Sequence, residues 1–161
     1  MTTVFRNEEN IIQVGETWLE QIKESALASP RGRARLLLHH GEDDPIQEML
    51  IVFAKDAQIR PHRTLNKSES FHVLEGRLKM IMFDDSGAVI ESFEMGPAGS
   101  GSTFMTRFAR GPWYTYVPLT EFVVTHEITK GPFSPDDTAT PDWAPEEGPE
   151  LQAFLARVSG G

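Results

Sequence analysis

Hydrophobic and polar positions repeat with a helical period near the start of the chain. Residues 14–28 (VGETWLEQIKESALA) carry apolar side chains three and four apart, which predicts an amphipathic helix over 14–29. Pro30 and Gly32 follow directly and predict its end. The apolar stripe consists of Trp18, Leu19, Ile22, Ala26 and Leu27.

From residue 33 to residue 129 the pattern changes to short apolar runs rich in β-branched and aromatic residues. Turn sequences such as GEDDP, DDSG and GPAGSG separate them. Many short strands at regular spacing predict an antiparallel sandwich or small β-barrel. The runs are ARLLLHH, IQEMLIVFA, SFHVLEG, RLKMIMFDD, AVIESFEM, STFMTRF, WYTYVPL and EFVVTHEIT.

The last part of the chain has two different segments. Residues 130–149 hold five prolines and predict an irregular arm, which lies on the barrel or on a neighbouring subunit; a loose surface tail is the alternative. Residues 150–158 return to helical spacing and predict a short C-terminal helix, so residues 1–161 form a single domain. The apolar stripe of this second helix is Leu151, Phe154, Leu155 and Val158.

Composition removes several classes of function. The 161 residues carry a formal charge of −9, which argues against nucleic-acid binding and against an anionic membrane surface as partner. No cysteine is present, so disulfides, zinc ribbons and thiol nucleophiles are excluded. The chain starts with no leader-like sequence and holds no apolar run of membrane-spanning length, so we expect a cytoplasmic protein.

The stretch RPHRTLNKSESFHVLEG, residues 60–76, holds the most informative polar residues. His62 and Thr64 are two apart and share one face of a strand; Glu69 and Gly76 follow five and seven residues later. This order resembles the first motif of the cupin superfamily, which is His-x-His, three or four residues, Glu, six residues, Gly. Thr64 stands where the motif has its second histidine, and Asp56 replaces the family's leading glycine.

The segment RGPWYTYVPL is similar to the second cupin motif, where a histidine often follows a tryptophan. Here Trp113 is present but Tyr114 takes the place of the histidine. The resemblance therefore implies a metal centre reduced to His62 and Glu69, weak or altered, for Fe, Mn, Ni, Zn or Cu. In one version of this metal centre, Tyr114 is a further ligand that completes the site. In a metal-free version His62 acts as base, Glu69 as its orienting partner, and Tyr114 as acid.

A narrower resemblance covers residues 14–149. SPRGRARLLLH, DPIQEMLIVF, the stretch around residues 60–87, VTHEITKGPF and DWAPEEG together resemble the WbuC-type cupins. That family is described as cupin-fold metalloproteins and is associated with surface-polysaccharide genes. The resemblance implies a cupin-type antiparallel β-barrel, or double-stranded β-helix, with one helix at each end.

Other polar residues are candidates for ligand binding. Arg31, Arg33 and Arg35 could hold a phosphate or carboxylate, although pairing with the surplus Asp and Glu is the more favoured interpretation. His39 is the histidine of LLLHH that we expect to face inward, and Thr64 lies next to His62. His72 should face away from the cavity, since it is three residues after Glu69.

Two functions remain open. The first is an enzyme on a small, carbohydrate-derived substrate, in surface-polysaccharide or nucleotide-sugar metabolism, of the sugar isomerase/epimerase type or metal-dependent. The alternative is a non-catalytic ligand-binding or assembly cupin that has lost its metal. We also expect a homodimer, because cupins commonly pair by packing sheets and exchanging terminal segments.

Overall fold

The computed structural model describes residues 2–109 and 111–160, and this part of the chain is mostly β, with one helix near each end. The helices are α1, Glu16–Leu27, and α2, Pro149–Ser159. The strands are β1 (Val4–Arg6), β2 (Arg33–Leu37), β3 (Ile46–Ala54), β4 (Arg63–Thr64), β5 (Glu69–Glu75), β6 (Leu78–Phe83), β7 (Val89–Met95), β8 (Met105–Phe108), β9 (Trp113–Pro118), β10 (Phe122–Lys130) and β11 (Thr138–Ala139).

One sheet has six strands in the order β1-β2-β3-β10-β5-β8. Neighbouring strands in this sheet are antiparallel, except that β1 runs parallel to β2. β1 and the two-residue strands β4 and β11 were not predicted from the sequence, because stretches this short show no periodicity.

The second sheet has the order β7-β6-β9. A bridge between His62 and Tyr114 extends it, since each backbone N–H donates to the other residue's carbonyl at 2.9–3.0 Å. β4 follows directly after His62 and pairs with β11. The site residues of the first motif therefore lie beside β9, at the end of this sheet.

The main core fills the space between the two sheets. Inward-facing residues of both sheets alternate along their strands with outward-facing ones, as expected for stacked antiparallel sheets. From the first sheet it includes Ile51, Phe53, Phe71, Val73 and Val123, and from the second Leu78, Met80, Met82, Tyr114 and Tyr116.

The two helices cover the outer faces of the sheets. α1 buries Ile22 and Ala26 completely against β2 and β3, and Trp18 packs at the edge of this cluster. Leu27 departs from the prediction: it is 63% exposed, because it follows Glu20 and Glu24 at helical spacing and shares their solvent side of the helix. α2 packs against β6 and β9 through the predicted stripe, Leu151, Phe154, Leu155 and Val158.

Gly76 makes the turn between β5 and β6. Its φ is +75°, and a Cβ there would collide with the Phe122 carbonyl, so the position requires glycine. Asp56, which replaces the other motif glycine, lies in a turn after β3; among the described residues only glycines have positive φ. The leading glycine of the motif is therefore not needed for this turn.

The Pro-rich segment after β10 is anchored to the body of the domain. The Leu65 N–H donates to the Asp137 carbonyl at 2.8 Å, and the Phe133 N–H donates to Glu42. Lys67 forms an ion pair with Asp137 at 2.8 Å. No helix in the described parts of the chain is long and apolar enough to cross a membrane.

Candidate functional site

A cavity of about 260 Å³ lies at the end of the core between the sheets. The first motif contributes one side of it, and the concave face of the six-stranded sheet contributes the other. Its main polar lining residues are Arg35, His62, Thr64, Glu69, Tyr116 and Glu127. The predicted residues His62, Glu69 and Thr64 are thus brought together, and Arg35 joins them from β2.

Glu69 is held by two hydroxyl groups. Its Oε2 accepts a hydrogen bond from the Thr64 hydroxyl at 2.9 Å and another from the Tyr114 hydroxyl at 2.8 Å. The expectation that His62 would be its partner is wrong. Thr64 and Tyr114, the two replacements in the cupin pattern, hold the carboxylate instead, and both reach the same oxygen. Oε1 is left for a ligand, since no described residue donates to it.

Tyr114 lies behind Glu69. It is buried, its ring stacks on Phe108 with a centroid distance of 4.7 Å, and it touches the His62 ring at 4.5 Å. Burial, and then the charge of Glu69, raises the pKa of Tyr114 well above its ordinary value. This arrangement speaks against the predicted role as an acid, and it makes Tyr114 a positioning residue for Glu69.

His62 has one ring nitrogen engaged. Its Nδ1 lies 2.9 Å from the Arg60 carbonyl, and because a carbonyl can only accept, Nδ1 carries the proton. Burial lowers the pKa of His62, with the Arg60 carbonyl and Glu69 acting in the opposite direction. The imidazole is therefore neutral at pH 7, and its Nε2 is the basic nitrogen.

Glu127 is the residue that sequence reasoning missed. It is buried on β10, and its Oε1 accepts a hydrogen bond from Thr125 at 3.1 Å. Burial, and then the charge of Glu69, raises the pKa of Glu127 to about 8, so this carboxyl is protonated at neutral pH. A signal was present: Val123, Thr125 and Glu127 alternate along one strand, so the glutamate must share the inward face.

The side chains around the cavity do not fit a tightly held metal ion. Among the described residues, no group of three or more His, Asp or Glu side chains is placed to hold one. His62 and Glu69 supply two donors, whereas a closed first-row metal site takes about four. Thr64 and Tyr114 use their hydroxyl protons on Glu69. The donors around the cavity therefore fall short of such a site.

Sequence comparison places the chain in a family. The model of DUF6016, a domain of unknown function, matches residues 14–95, which is half of the chain. The chain belongs to the DUF6016 family. No curated protein matches it.

Solved structures show the fold of this DUF6016 protein. A protein from Shewanella oneidensis matches with a TM-score of 0.55 at 12% identity, over 70% of this chain and 75% of that one. Oxalate oxidase in complex with the substrate analogue glycolate matches with a TM-score of 0.52 at 14% identity, over 70% and 57%. A cupin superfamily protein from Desulfitobacterium hafniense matches at 12% identity with a TM-score of 0.47, over 61% and 76%.

The fold prediction is confirmed: the DUF6016 protein is mostly β, of the cupin type, with an N-terminal helix and a short C-terminal helix. The family match ends at residue 95. It therefore covers His62, Thr64 and Glu69 but not Tyr114 or Glu127. Five of the eleven polar residues that line the cavity come from the part of the DUF6016 protein that lies beyond the match.

The three arginines of residues 31–35 divide between two places in the DUF6016 protein. Arg31 and Arg33 both pair with Glu147, at 2.8 and 3.6 Å. This is the pairing interpretation, with Glu147 as the partner of both. Arg35 faces the cavity instead, because its side chain alternates with Ala34 and Leu36, which are buried under α1.

The remaining histidines lie outside the cavity. His39 is buried, with Nδ1 against the backbone of Glu48, and it lines a neighbouring cavity. His72 faces outward and contacts the Phe104 ring at 5.7 Å, as its distance from Glu69 predicted. His126 pairs with Glu48 at 2.7 Å on the outer face of the sheet.

Proposed function

We propose that this cupin-type domain binds a small hydroxylated carbonyl compound, related to carbohydrates, in the cavity and moves protons on it in the manner of a sugar isomerase or epimerase. The observation that carries this proposal is the pair Glu69 and Glu127. One cavity holds a protonated carboxyl, Glu127, and two proton acceptors, Glu69 and the Nε2 of His62.

The size and polarity of the cavity support a small polar ligand. About 260 Å³ is below the roughly 300–1,000 Å³ typical of sites for drug-sized molecules. Met49, Ile51 and Phe133 supply apolar surface, and hydroxyl, carboxyl, imidazole, amide and cationic groups supply the rest. A compound with several hydroxyl groups matches such a mixture of donors and acceptors.

The acid–base assignment follows from the environments of the three groups. An isomerase needs a base that removes a proton from the carbon beside a carbonyl, and an acid that protonates the carbonyl oxygen. Glu69, with Oε1 open, or His62 Nε2 is suited to the first task. Glu127 suits the second, because its pKa of about 8 keeps it protonated at pH 7 while leaving it able to release the proton.

The resemblance to WbuC-type cupins supports a ligand related to carbohydrates, but it points to no particular sugar or reaction. A weak or altered metal centre stays a proposal as well: with two donors, His62 and Glu69, any divalent ion would bind loosely. That the protein is a cytoplasmic homodimer is likewise a proposal.

A non-catalytic binding protein is the second candidate. The observation that favours it is the position of Tyr114. Its buried hydroxyl donates a hydrogen bond to Glu69 from inside the core, as a bond with a purely structural role would. Under this alternative the cavity still binds its ligand, but no bond changes.

Proton exchange distinguishes the two. We would incubate the protein in D₂O with D-fructose, D-glucose or D-glucuronate and follow deuterium incorporation beside the carbonyl by NMR. We expect incorporation above the buffer rate, reduced about 10²-fold or more in Glu127→Gln and in Glu69→Gln. Glu94→Gln is the matched control, since Glu94 lies on β7, is exposed and forms an ion pair with Arg77. Saturable binding without any incorporation would support the binding protein instead.

A further inference from the structure

A second cavity adjoins the first on the concave face of the six-stranded sheet. Its volume is about 210 Å³, and it shares four lining residues with the main cavity, Arg35, Gln47, Met49 and Phe133. Arg6 and His39 line it as well. Because the two cavities share these residues, a ligand in the main cavity needs only a short substituent to reach the second cavity.

The strand register explains why two arginines meet there. Val4 of β1 lies beside Arg35 of β2, and Arg6 lies beside Leu37. Side chains two apart on a strand share a face, so Arg6 and Arg35 both point to the concave side. The unpredicted strand β1 thus places a second guanidinium next to the one from β2.

These two arginines differ from the other arginines near the cavities in lacking a carboxylate. Arg31 and Arg33 pair with Glu147, and Arg60 pairs with Glu146. Among the described residues, neither Arg6 nor Arg35 has an ion-pair partner. Arg35 is partly buried, where an unpaired charge is costly.

The other groups in the second cavity leave it positively charged. Glu42 is the one carboxylate that lines it, against two guanidiniums, and it is exposed at the rim. His39 uses Nδ1 on the Glu48 backbone, and its Nε2 has no partner among the described residues. A guanidinium fork together with an imidazole is suited to the oxygens of a carboxylate or a phosphate.

We propose that the ligand of the main cavity carries an anionic group, a carboxylate or a phosphate, which Arg35 and Arg6 bind in the second cavity. This inference rests on the proposed function and narrows its substrate class to small acidic or phosphorylated hydroxy compounds. Arg35 stands on the wall between the two cavities and joins the anionic group to the part of the ligand that meets Glu69 and Glu127.

Inorganic phosphate tests the anion site alone, because it needs nothing from the main cavity. We would titrate phosphate into wild type, Arg35→Gln, Arg35→Lys and Arg6→Gln at pH 7, following binding by calorimetry. We expect saturable binding that weakens about tenfold in Arg35→Gln, since a charge-assisted pair is lost, and less in Arg35→Lys. Arg77→Gln, an exposed arginine paired with Glu94, is the control and should bind as wild type does.

Monosaccharides test the link to the main cavity. Wild type should bind D-glucuronate or D-glucose 6-phosphate at least about tenfold more tightly than D-glucose, and Arg35→Gln should remove this preference. Comparing the two acids shows which anion the cavity takes. Absence of phosphate binding together with no preference for D-glucuronate over D-glucose, or equal losses in Arg35→Gln and Arg77→Gln, overturns the inference. The proposed function survives that result if wild type still binds D-glucose and Glu127→Gln weakens this binding. The proposed function fails on its own if phosphate binds but no sugar does.

Discussion

Glu69 and Glu127 are two carboxyls on one face of one sheet, and their surroundings differ. They are diagonal neighbours on β5 and β10, because Glu69 lies opposite Thr129 and Glu127 lies opposite Phe71. Glu69 accepts two hydroxyl hydrogen bonds through one oxygen, whereas Glu127 accepts one and is more deeply buried. Deep burial beside the charge of Glu69, and not residue type, is what keeps the proton on Glu127.

The largest expected effect comes from removing the support behind Glu69. Tyr114→Ala deletes a buried ring that stacks on Phe108, and we expect a loss of about 3–5 kcal/mol in the free energy of unfolding. Tyr114→Phe keeps the ring and removes only the hydroxyl bond to Glu69, which should cost about 1 kcal/mol. Urea denaturation measures both.

Tyr116→Phe is the matched control for the hydroxyl, since Tyr116 lies two residues along the same strand and no hydrogen bond joins it to Glu69. Equal losses for Tyr114→Phe and Tyr114→Ala would contradict a separate packing role for the ring.

A second test converts the Glu69 side into a metal site and leaves Glu127 untouched. Thr64 and Tyr114 both reach the same Glu69 oxygen, so Thr64→His combined with Tyr114→His surrounds that point with imidazoles. We expect the affinity for Ni²⁺, Mn²⁺ or Zn²⁺ to rise about tenfold per added imidazole, or about 2.8 kcal/mol in total. Isothermal titration on protein shown to be folded by circular dichroism measures it.

Adding His62→Gln to that double variant is the control and should return most of the gain. If wild type already binds metal tightly and the double variant binds no better, the two-donor description of the site is wrong.

A third test concerns the protonation of Glu127. In the unfolded chain it ionises near its ordinary pKa of 4.5, and in the folded protein near 8, so the unfolded state binds fewer protons between these values. Stability is therefore greatest below about pH 4.5 for this group and is lost as the pH rises through 8. Glu127→Gln removes this pH dependence and should be about 4 kcal/mol more stable than wild type at pH 8.

Near pH 5 the advantage of Glu127→Gln should largely vanish. Thermal or urea unfolding at both pH values measures the difference, with Glu94→Gln as an exposed control. An advantage for Glu127→Gln that stays constant from pH 5 to pH 8 would show that Glu127 is not protonated in the folded protein.

The sequence was informative where a pattern extends over several residues. The period of two predicted the long strands, and IQEMLIVFA coincides with β3 from Ile46 to Ala54. The stripe of Leu151, Phe154 and Leu155 predicted which side of α2 is buried. These features depend on burial of a whole face, which leaves a record in the order of residues.

The site was predicted only in part, because its geometry depends on contacts between distant segments. His62 and Glu69 were found from their spacing, but the bond from Tyr114 to Glu69 joins residues 45 apart. Glu127 belongs to no motif, and only the strand register places it next to Glu69. Arg6 required β1, three residues long and without a period of its own.

Thr64 links the Pro-rich arm to the carboxylate. Its backbone pairs with Thr138 in β11, while its side chain donates to Glu69. Phe133 and Ser134, from the same arm, line the cavity. A substitution in the arm can therefore change the hydrogen bonding of the carboxylate without altering any residue of the first motif.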